Sequence, residues 1–377
     1  MNGISVYVHI PFCQQKCYYC DFNSFAGKRE LFEPYVNSLV EEIENCNELY
    51  GRTIDTIFIG GGTPSVLPPS YIAQIMEALG KYNISKTAEI TIESNPNSLP
   101  PDKLAVYKQS GINRLSIGLQ AMQTGLLKRL GRLHSASEFI ECYENALRVG
   151  FENISTDLMF AIPEQDLDDW EQSLKALIEL KLKHISCYSL IIEEGTPFSD
   201  DYDKGRLCPI DDETDRQMYY LAVDMLGANG YKQYEISNFA LPAFESNHNI
   251  AYWKRADYIG FGLSAHSLFD NKRFENTACL DEYIKHSGNS AKIRQNINQL
   301  SQKDQIEEFM FLGLRMTDGI SRKEFAKQFG VDLEKVYGDI LKAQANSGLL
   351  LLDGNMVKLT KKGVDLSNAV FSEFLLD

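Results

Sequence analysis

Over its first 230 residues the chain alternates short, apolar, β-rich runs with longer amphipathic runs. Six runs have the length and composition of buried strands: 4–10, 53–60, 88–94, 113–119, 153–160 and 184–191. Helical spacing of apolar residues is seen at 31–50, 70–82, 137–150, 167–181 and 211–229. Such alternation is typical of βαβ units, in which helices join parallel strands. Six units are too few for a closed eight-stranded barrel, so the sequence predicts an α/β fold with a partial (β/α)6 barrel.

Beyond residue 230 the alternation gives way to consecutive strand-like runs. Three of these runs are predicted to be antiparallel strands: 232–240, 258–270 and 272–278. The dipeptide Asp270–Asn271 separates the last two runs and suits a hairpin turn. Residues 287–300 are polar and are predicted to form a linker. We therefore expect an antiparallel β extension after the barrel.

The last segment, 301–377, has the element order of a winged helix. We predict helices at 303–316, 321–329 and 332–347, then a hairpin turning at Asp353–Gly354 and a short final helix. A DNA-binding wing should be basic, but this segment holds 10 Lys+Arg and 12 Asp+Glu, a net charge of −2. A structural or docking module is favoured over a DNA-binding regulator. The predicted domains are 1–230, 231–300 and 301–377.

The whole chain is acidic, with a formal net charge of −15 over 377 residues. Neither nucleic acid nor an anionic membrane surface is therefore expected as a partner of the whole molecule. No apolar run reaches transmembrane length and no signal peptide is found, which predicts a cytoplasmic protein with reduced thiols. Five scattered cysteines are expected to be buried and inert: Cys46, Cys142, Cys187, Cys208 and Cys279.

The other three cysteines stand together in HIPFCQQKCYYCDF, residues 9–22, directly after the first strand. Cys13, Cys17 and Cys20 would supply three ligands to a 4Fe–4S cluster and leave its fourth iron open. An open iron can chelate the amine and carboxylate of S-adenosylmethionine (SAM), and an electron passed into the sulfonium would cleave a carbon–sulfur bond. A structural zinc site completed by His9 is the alternative, but no second C-x2-C knuckle exists. The spacing favours the cluster.

This spacing after the first strand of a partial barrel resembles the radical SAM superfamily. The flanking HIPFC and CDF, with GGGTPS at 60–65 and ESNP at 93–96, resemble its oxygen-independent coproporphyrinogen III oxidase-like group. The resemblance runs from about residue 4 to the C-terminus. It implies a 4Fe–4S cluster on Cys13, Cys17 and Cys20, and SAM as a second cofactor.

The resemblance also implies which residues hold SAM. The glycine-rich loop after the second strand would hold the methionine amino group through Gly61, Gly62 and Thr63, and Glu93 would bind the same amine. The remaining residues implied for the cofactor are Tyr7, Gln120, Arg132 and Asp157.

Each of these four has a role and an ordinary alternative. Gln120 and Arg132 would bind SAM or a second molecule of it, although Arg132 is equally suited to a helix surface. Asp157 would accept hydrogen bonds from a ribose, since a buried aspartate needs partners. Tyr7 would pack on the cluster, or else in the core. Relatives usually carry glycine where this chain has Ala161.

Three features distinguish the branches of this group. The oxidases carry a fourth cysteine where this chain has Phe22, and an N-terminal extension where only twelve residues precede Cys13. Residues 248–253, His-Asn-Ile-Ala-Tyr-Trp, resemble the H-N-x-x-Y-W motif of the haem chaperone (HemW-type) branch. The features favour that branch.

The motif suits haem chemically. His248 could ligate the iron through a neutral imidazole, while Tyr252 and Trp253 offer flat apolar surface, with Asn249 beside them. The segment is predicted to be an exposed loop. Taken alone, a loop histidine beside core aromatics would be the simpler interpretation. His266 is a second candidate ligand, but its strand pattern favours a structural role.

The resemblance therefore implies a haem chaperone that binds haem and passes it to an apo-haemoprotein. An electron donor is also implied, with peripheral membrane association and a homodimer as open alternatives. Conversion of coproporphyrinogen is not expected. The alternative function is an oxygen-independent coproporphyrinogen III oxidase, which makes protoporphyrinogen by radical decarboxylation.

Overall fold

A computed structural model describes residues 3–376, and its main feature is one twelve-stranded sheet. Six of its strands are the predicted barrel strands: β1 (Gly3–Ile10), β2 (Thr53–Gly61), β3 (Ile84–Ser94), β4 (Arg114–Gln120), β5 (Asn153–Phe160) and β6 (His184–Ser189). They pair in this order and all are parallel. Strand β4 is buried at every residue, as expected of a parallel strand covered on both faces.

Helices connect these strands. Their bounds are α1 (Phe32–Glu44), α2 (Pro69–Leu79), α3 (Pro101–Gln109), α4 (Thr124–Arg129), α5 (Ala136–Val149), α6 (Leu167–Glu179), α7 (Pro197–Asp203) and α8 (Asp212–Ala228). Local signals set several ends. Helix α5 begins at a capping box between Ser135 and Glu138 and ends at Gly150, which has a left-handed φ of 95°. Helices α3, α4 and α7 were not among the predicted elements.

The β extension completes both edges of the sheet. Its elements are β7 (Lys232–Gln233), β8 (Asn238–Ala240), α9 (Asn247–Trp253), β9 (Tyr258–Phe261), β10 (His266–Phe269), β11 (Lys272–Asn276), α10 (Leu280–His286), α11 (Ser290–Ile293) and β12 (Arg294–Gln299). Strand β8 pairs antiparallel with β6 at one edge. At the other edge β9, β10, β11 and β12 follow β1. The sheet is therefore an open barrel with an extension at each side.

The sequence predictions for the extension need correction. The runs 232–240 and 258–270 each form two antiparallel strands instead of one, β7 with β8 and β9 with β10, and β9 also pairs parallel with β1. Residues 294–299, predicted as part of a linker, form strand β12 paired with β11, because backbone groups at a sheet edge can bind a polar segment. The hairpin turn at Asp270–Asn271 is confirmed, with positive φ angles of 47° and 58° that suit a type I′ turn.

The C-terminal module has its own apolar core. Its elements are α12 (Gln302–Gly313), β13 (Ile320–Ser321), α13 (Arg322–Phe329), α14 (Leu333–Asn346), β14 (Leu350–Asp353), β15 (Met356–Leu359), α15 (Lys361–Asp365) and α16 (Ser367–Ser372). Phe325, Tyr337 and Leu341 are buried at its centre. This is the predicted winged-helix order, except that the wing turns at Gly354–Asn355, one residue later than predicted. Among the described helices, none is long and apolar enough for a membrane span.

A buried carboxylate joins the first barrel helix to the extension. Glu42 on α1 accepts hydrogen bonds from Gly262 N at 2.9 Å, Asn276 Nδ2 at 2.7 Å and Tyr283 Oη at 2.6 Å. Burial raises its pKa to about 7 despite these donors. The folded protein therefore holds a proton on Glu42 at pH values where the unfolded chain has lost it.

We expect Glu42→Gln to flatten the dependence of stability on pH. A carboxyl whose pKa is higher in the folded state than in the unfolded chain loses stabilisation as pH rises from its unfolded value towards about 7. The wild type should therefore lose more unfolding free energy than the variant between about pH 5 and pH 8. Urea unfolding at both pH values measures this, with the exposed Glu33→Gln on the same helix as the control. Parallel pH profiles for wild type and Glu42→Gln would contradict it.

Candidate functional site

The main candidate site lies inside the barrel and opens at the carboxyl ends of its strands. It is a cavity of about 360 Å³ lined by all three clustered cysteines together with the glycine-rich loop, Glu93 and Asp157. The cysteine loop is closed by short parallel pairing of Phe12–Cys13 with Phe25–Ala26. The structure thus brings together the residues that the sequence predicted for a cluster and its cofactor, except Tyr7.

The three cysteines are suited to bind an iron–sulfur cluster, because its iron would compensate the negative charge of the thiolates. Burial raises the pKa of Cys13, and burial raises the pKa of Cys20 to about 11. Thiolates at these positions need positive charge beside them, which iron provides. Two donors already point at sulfur: Thr63 Oγ1 lies 3.6 Å from Cys13 Sγ, and Arg132 Nη1 lies 3.5 Å from Cys17 Sγ. The donor set therefore fits an iron–sulfur cluster.

The alternative of a zinc ion completed by His9 does not fit. His9 Nδ1 is paired with Tyr7 Oη at 3.0 Å, and His9 Nε2 is paired with the carbonyl of Asn23, also at 3.0 Å. Both ring nitrogens are thus occupied. Within residues 3–376, no three His, Cys, Asp or Glu side chains are grouped as ligands of a single metal ion. A four-iron cluster spaces its ligands more widely than one ion does.

Glycine is required in the glycine-rich loop because its backbone lies very close to the segment that precedes the cysteines. Gly62 N donates to the carbonyl of Ile10 at 2.9 Å, and a Cβ on Gly62 would lie 2.7 Å from the carbonyl oxygen of Phe12. Gly61 has a φ of 108° and donates from its N–H to Glu93 Oε2 at 3.1 Å. A side chain at Gly62 would therefore push the loop away from the segment that leads into the cysteines, and one at Gly61 would collide with the ring of His9.

Two half-buried carboxylates share the cavity. The pKa of Glu93 is raised to about 8, chiefly by burial and then by the charge of Asp157. The pKa of Asp157 is also raised by burial, partly offset by a hydrogen bond from Ser186 and by nearby arginines. An ammonium group entering the cavity would stabilise the ionised form of Glu93. Ala161, at the position where the resemblance implies glycine, has a left-handed φ of 56°, a conformation that glycine adopts more readily.

Arg132 and Gln120 reach the cavity but have protein partners. Arg132 Nη2 donates to Asn95 Oδ1 at 2.6 Å and also to the carbonyl of Gly118. Gln120 has a φ of 72°, and its Oε1 accepts from Tyr188 Oη at 2.7 Å. Asn95 and Tyr188 also line the cavity and were not predicted. The ESNP pattern could have indicated Asn95; the position of Tyr188 depends on strand pairing.

Tyr7 lies deeper than the cavity wall. Its hydroxyl pairs with His9, and its ring stacks near Phe58 with centroids 6.4 Å apart. It is not among the residues that line the cavity. These contacts favour the alternative of packing inside the barrel.

The HNxxYW segment is a half-buried helix in which His248 is buried, not the exposed loop that was predicted. Helix α9 is capped by Ser246, and the carboxylate of Glu89 accepts from its first N–H groups, Asn247 N at 3.2 Å and His248 N at 3.1 Å. Arg114 lies 3.7 Å from the same carboxylate. These contacts hold α9 against the inside of the barrel.

His248 is therefore 1% exposed. Its Nδ1 pairs with Thr56 Oγ1 at 2.8 Å, and its ring stacks on Phe58 with centroids 5.1 Å apart. Burial lowers its pKa to about 3, so it is neutral. Its Nε2 is buried and has no hydrogen-bond partner in residues 3–376.

The rest of the motif faces three directions. Asn249 lines the same cavity as the cysteines. Tyr252 lies between His248 and Tyr258, with centroids 4.7 and 4.6 Å away. The ring of Trp253 faces the guanidinium of Arg315 in the C-terminal module at 4.3 Å. One short helix thus links the cofactor cavity to the C-terminal module.

The remaining histidine and cysteine candidates differ in their exposure to solvent. His266 is exposed and pairs with Glu275 at 3.1 Å on the neighbouring strand. Cys46, Cys142 and Cys187 are buried as predicted, but Cys208 and Cys279 are exposed. The prediction of buried thiols was wrong for these two because neither lies inside a regular strand or helix.

Known proteins resemble the chain along its whole length. The radical SAM superfamily profile matches residues 7–177, and the profile of the HemN C-terminal domain matches residues 300–366. The chain is 38% identical to the haem chaperone HemW of Bacillus subtilis, over 98% of this chain and 99% of that protein. It is 37% identical to the haem chaperone HemW of Lactococcus lactis, over 99% and 97%.

A solved structure has the same fold. The coproporphyrinogen III oxidase HemN of Escherichia coli, described as a radical SAM enzyme, matches with a TM-score of 0.86 at 22% identity. The match covers 99% of this chain and 90% of that one. It confirms the predicted partial barrel with its C-terminal module.

We expect Cys17→Ala to abolish cluster loading, because two thiolates cannot hold the cluster in its loop. Anaerobic reconstitution should give about four irons per wild-type chain. Iron analysis and visible absorbance measure the loss. Cys208→Ala, at an exposed cysteine outside the cavity, is the matched control. Full loading of Cys17→Ala would contradict the assignment.

We expect SAM binding to release a proton from Glu93 near pH 7. With a pKa of about 8 the carboxyl is protonated in the empty cavity, and hydrogen bonds from the iron-bound amine would favour its ionised form. Affinity should therefore rise between about pH 6 and pH 7.5, and this rise should be smaller in Glu93→Gln, where the SAM amine alone loses a proton. Calorimetry of the cluster-loaded protein in buffers of different protonation enthalpy measures the released proton. Exposed Glu194→Gln is the control, and proton release by Glu93→Gln equal to that of wild type would refute the role.

Proposed function

The chain belongs to the haem chaperone HemW family of the radical SAM superfamily, and we propose that it binds haem and transfers it to apo-haemoproteins. The observation that carries this proposal is the 38% identity to a haem chaperone over 98% of the chain. The structural similarity to the oxidase, at 22% identity, shows a shared fold and not a shared activity. A 4Fe–4S cluster and SAM are part of the proposal.

The position of Phe22 argues against the oxidase alternative. Its side chain is 61% exposed and lines the same cavity as the cluster cysteines. The oxidases are expected to carry a fourth cysteine at this position. This chain instead has an apolar ring that offers no ligand atom. We therefore propose that it does not convert coproporphyrinogen.

The cavity residues would share the work of holding the cofactors. Cys13, Cys17 and Cys20 would hold the cluster, which supplies electron transfer to the sulfonium of SAM when both are bound. Glu93 would accept hydrogen bonds from the methionine amine beside the Gly61–Gly62–Thr63 loop. Asp157 would accept hydrogen bonds from the ribose. Arg132 would donate to a cluster thiolate and neutralise charge near the carboxylates.

We place haem at the motif residues His248, Asn249, Tyr252 and Trp253. Since His248 is 1% exposed, ligation of iron by its Nε2 requires α9 to move away from Thr56 and Phe58. The buried Nε2 without a partner is the group that such a movement would release. Because Asn249 lines the cofactor cavity, occupancy there can influence the movement.

The wider assignment follows from this function. We propose domains at 1–230, 231–300 and 301–377, with the last as a docking module for the acceptor. The protein would work in the cytoplasm with an electron donor. Peripheral membrane association would bring it to membrane-bound acceptors, and a homodimer is one form in which transfer could be regulated.

Haem titration of the anaerobically reconstituted protein tests the proposal. We expect saturable binding by visible absorbance, and no protoporphyrinogen from coproporphyrinogen III under reducing, SAM-supplemented conditions. His248→Gln should bind at least tenfold more weakly and shift the Soret band, since an amide cannot replace an imidazole ligand. His134→Gln, at another buried histidine, is the control.

Each outcome decides a separate point. No haem binding by the wild type, or product formation from coproporphyrinogen, would overturn the chaperone function. Equal binding and spectra for wild type and His248→Gln would remove His248 as the ligand and direct attention to exposed His266.

A further inference from the structure

We propose that Arg255 and Arg273, beside the motif helix, form a carboxylate site that receives the propionates of haem. The inference rests on the proposed function, and it specifies which part of the ligand is recognised and by which residues.

The site is a second cavity on the outer side of α9. It has a volume of about 120 Å³ and is lined by Tyr252, Arg255, Tyr258, Leu268, Arg273 and Leu312. A single water needs only roughly 10–15 Å³ on this scale, so the cavity admits a group of several heavy atoms. Tyr252 belongs to the HNxxYW motif and contacts His248 on its other side.

The local charge is positive, although the whole chain is acidic. Arg255 Nε donates to Glu308 Oε2 at 2.6 Å, and Arg273 Nη2 donates to Glu308 Oε1 at 2.8 Å. Two guanidinium groups share one carboxylate, which leaves one positive charge in excess. Asp257, close in sequence, is paired with Arg52 instead.

One arginine also lacks a hydrogen-bond acceptor. The Arg255 side chain is 5% exposed; its Nη1 donates to Asn271 Oδ1 at 3.1 Å, but Nη2 has no partner in residues 3–376. A buried charged donor without an acceptor is destabilising. A carboxylate in the adjoining cavity would supply the missing acceptor.

The backbone holds Arg255 in this position. Its φ is 54°, in the left-handed region that a residue with a side chain rarely adopts. The N–H of Arg255 bonds to the carbonyl of Tyr252, and the N–H of Ala256 to that of Ala251, which ends the helix as glycine usually does. Such strain persists where the surroundings fix it and is frequent at ligand sites.

The other walls select the ligand class. Tyr252 and Tyr258 meet edge to face at 4.6 Å, and two leucines complete an apolar surface. An arginine pair with aromatic and aliphatic walls fits a molecule that joins carboxylates to a flat apolar ring. Haem has that combination, whereas a free phosphate or an acidic peptide would leave the apolar walls without a partner.

The test compares haem with its dimethyl ester, which keeps the iron and the ring but removes both carboxylates. For the wild type we expect at least tenfold weaker binding of the ester in anaerobic absorbance titrations. Arg273→Gln should weaken haem binding at least tenfold but leave ester binding unchanged. The remaining Arg255 charge is then neutralised by Glu308, so the excess positive charge is gone.

Controls separate this outcome from misfolding. The Arg273 side chain is 36% exposed, so its substitution should leave the thermal unfolding midpoint and iron content near those of wild type. Arg206→Gln, at an exposed arginine paired with Asp201, should bind haem and ester as the wild type does. The ester comparison in the wild type needs no variant.

The failures of the two proposals are distinguishable. Equal wild-type affinity for haem and ester, or equal weakening of both ligands by Arg273→Gln, would refute the carboxylate site and leave the chaperone function standing. Absence of haem binding by the wild type would refute the chaperone function itself. Competition by an acidic peptide as strong as that by haem would also overturn the assignment to propionates.

Discussion

The arrangement depends on a buried carboxylate inside the barrel, that of Glu89. It accepts hydrogen bonds from the first two N–H groups of α9, at 3.2 and 3.1 Å, and it lies 3.7 Å from Arg114. A buried carboxylate needs such partners, and the exposed N–H groups of a helix start provide them. Through this contact a seven-residue helix from the extension becomes part of the barrel interior. The cofactor cavity then has a wall, Asn249, that belongs to the HNxxYW motif.

The same helix meets the C-terminal module. Trp253 packs on Arg315, and Arg255, just after the helix, is paired with Glu308. A ligand at the cluster end and a ligand at the outer cavity would therefore contact one element from two sides. This gives a physical basis for coupling SAM occupancy to haem binding: both could bias the position of α9. In such a scheme the burial of His248 is a closed state, and its unpartnered Nε2 lowers the cost of opening.

Much of the fold could be predicted from the sequence because its signals are local. Strand β5 was predicted at its observed bounds, and α5 within one residue, since hydrophobic period, capping residues and glycine stops act over a few positions. Strand β12 was missed because its residues are polar, and it is held by pairing with β11. The parallel pairing of β9 with β1 was missed, because β1 lies about 250 residues away in the chain.

The sequence alone determined the chemistry of the cluster loop. The spacing of Cys13, Cys17 and Cys20, the glycine run and Glu93 lie at successive strand ends, and parallel strands bring such ends together. Only the tertiary structure decided the environment of the motif. Whether His248 is exposed depends on Thr56 and Phe58, and Arg255 and Arg273 are held together by their shared partner Glu308 in another module. Burial and charge balance are sums over residues distant in sequence, so no local pattern around His248 could have indicated them.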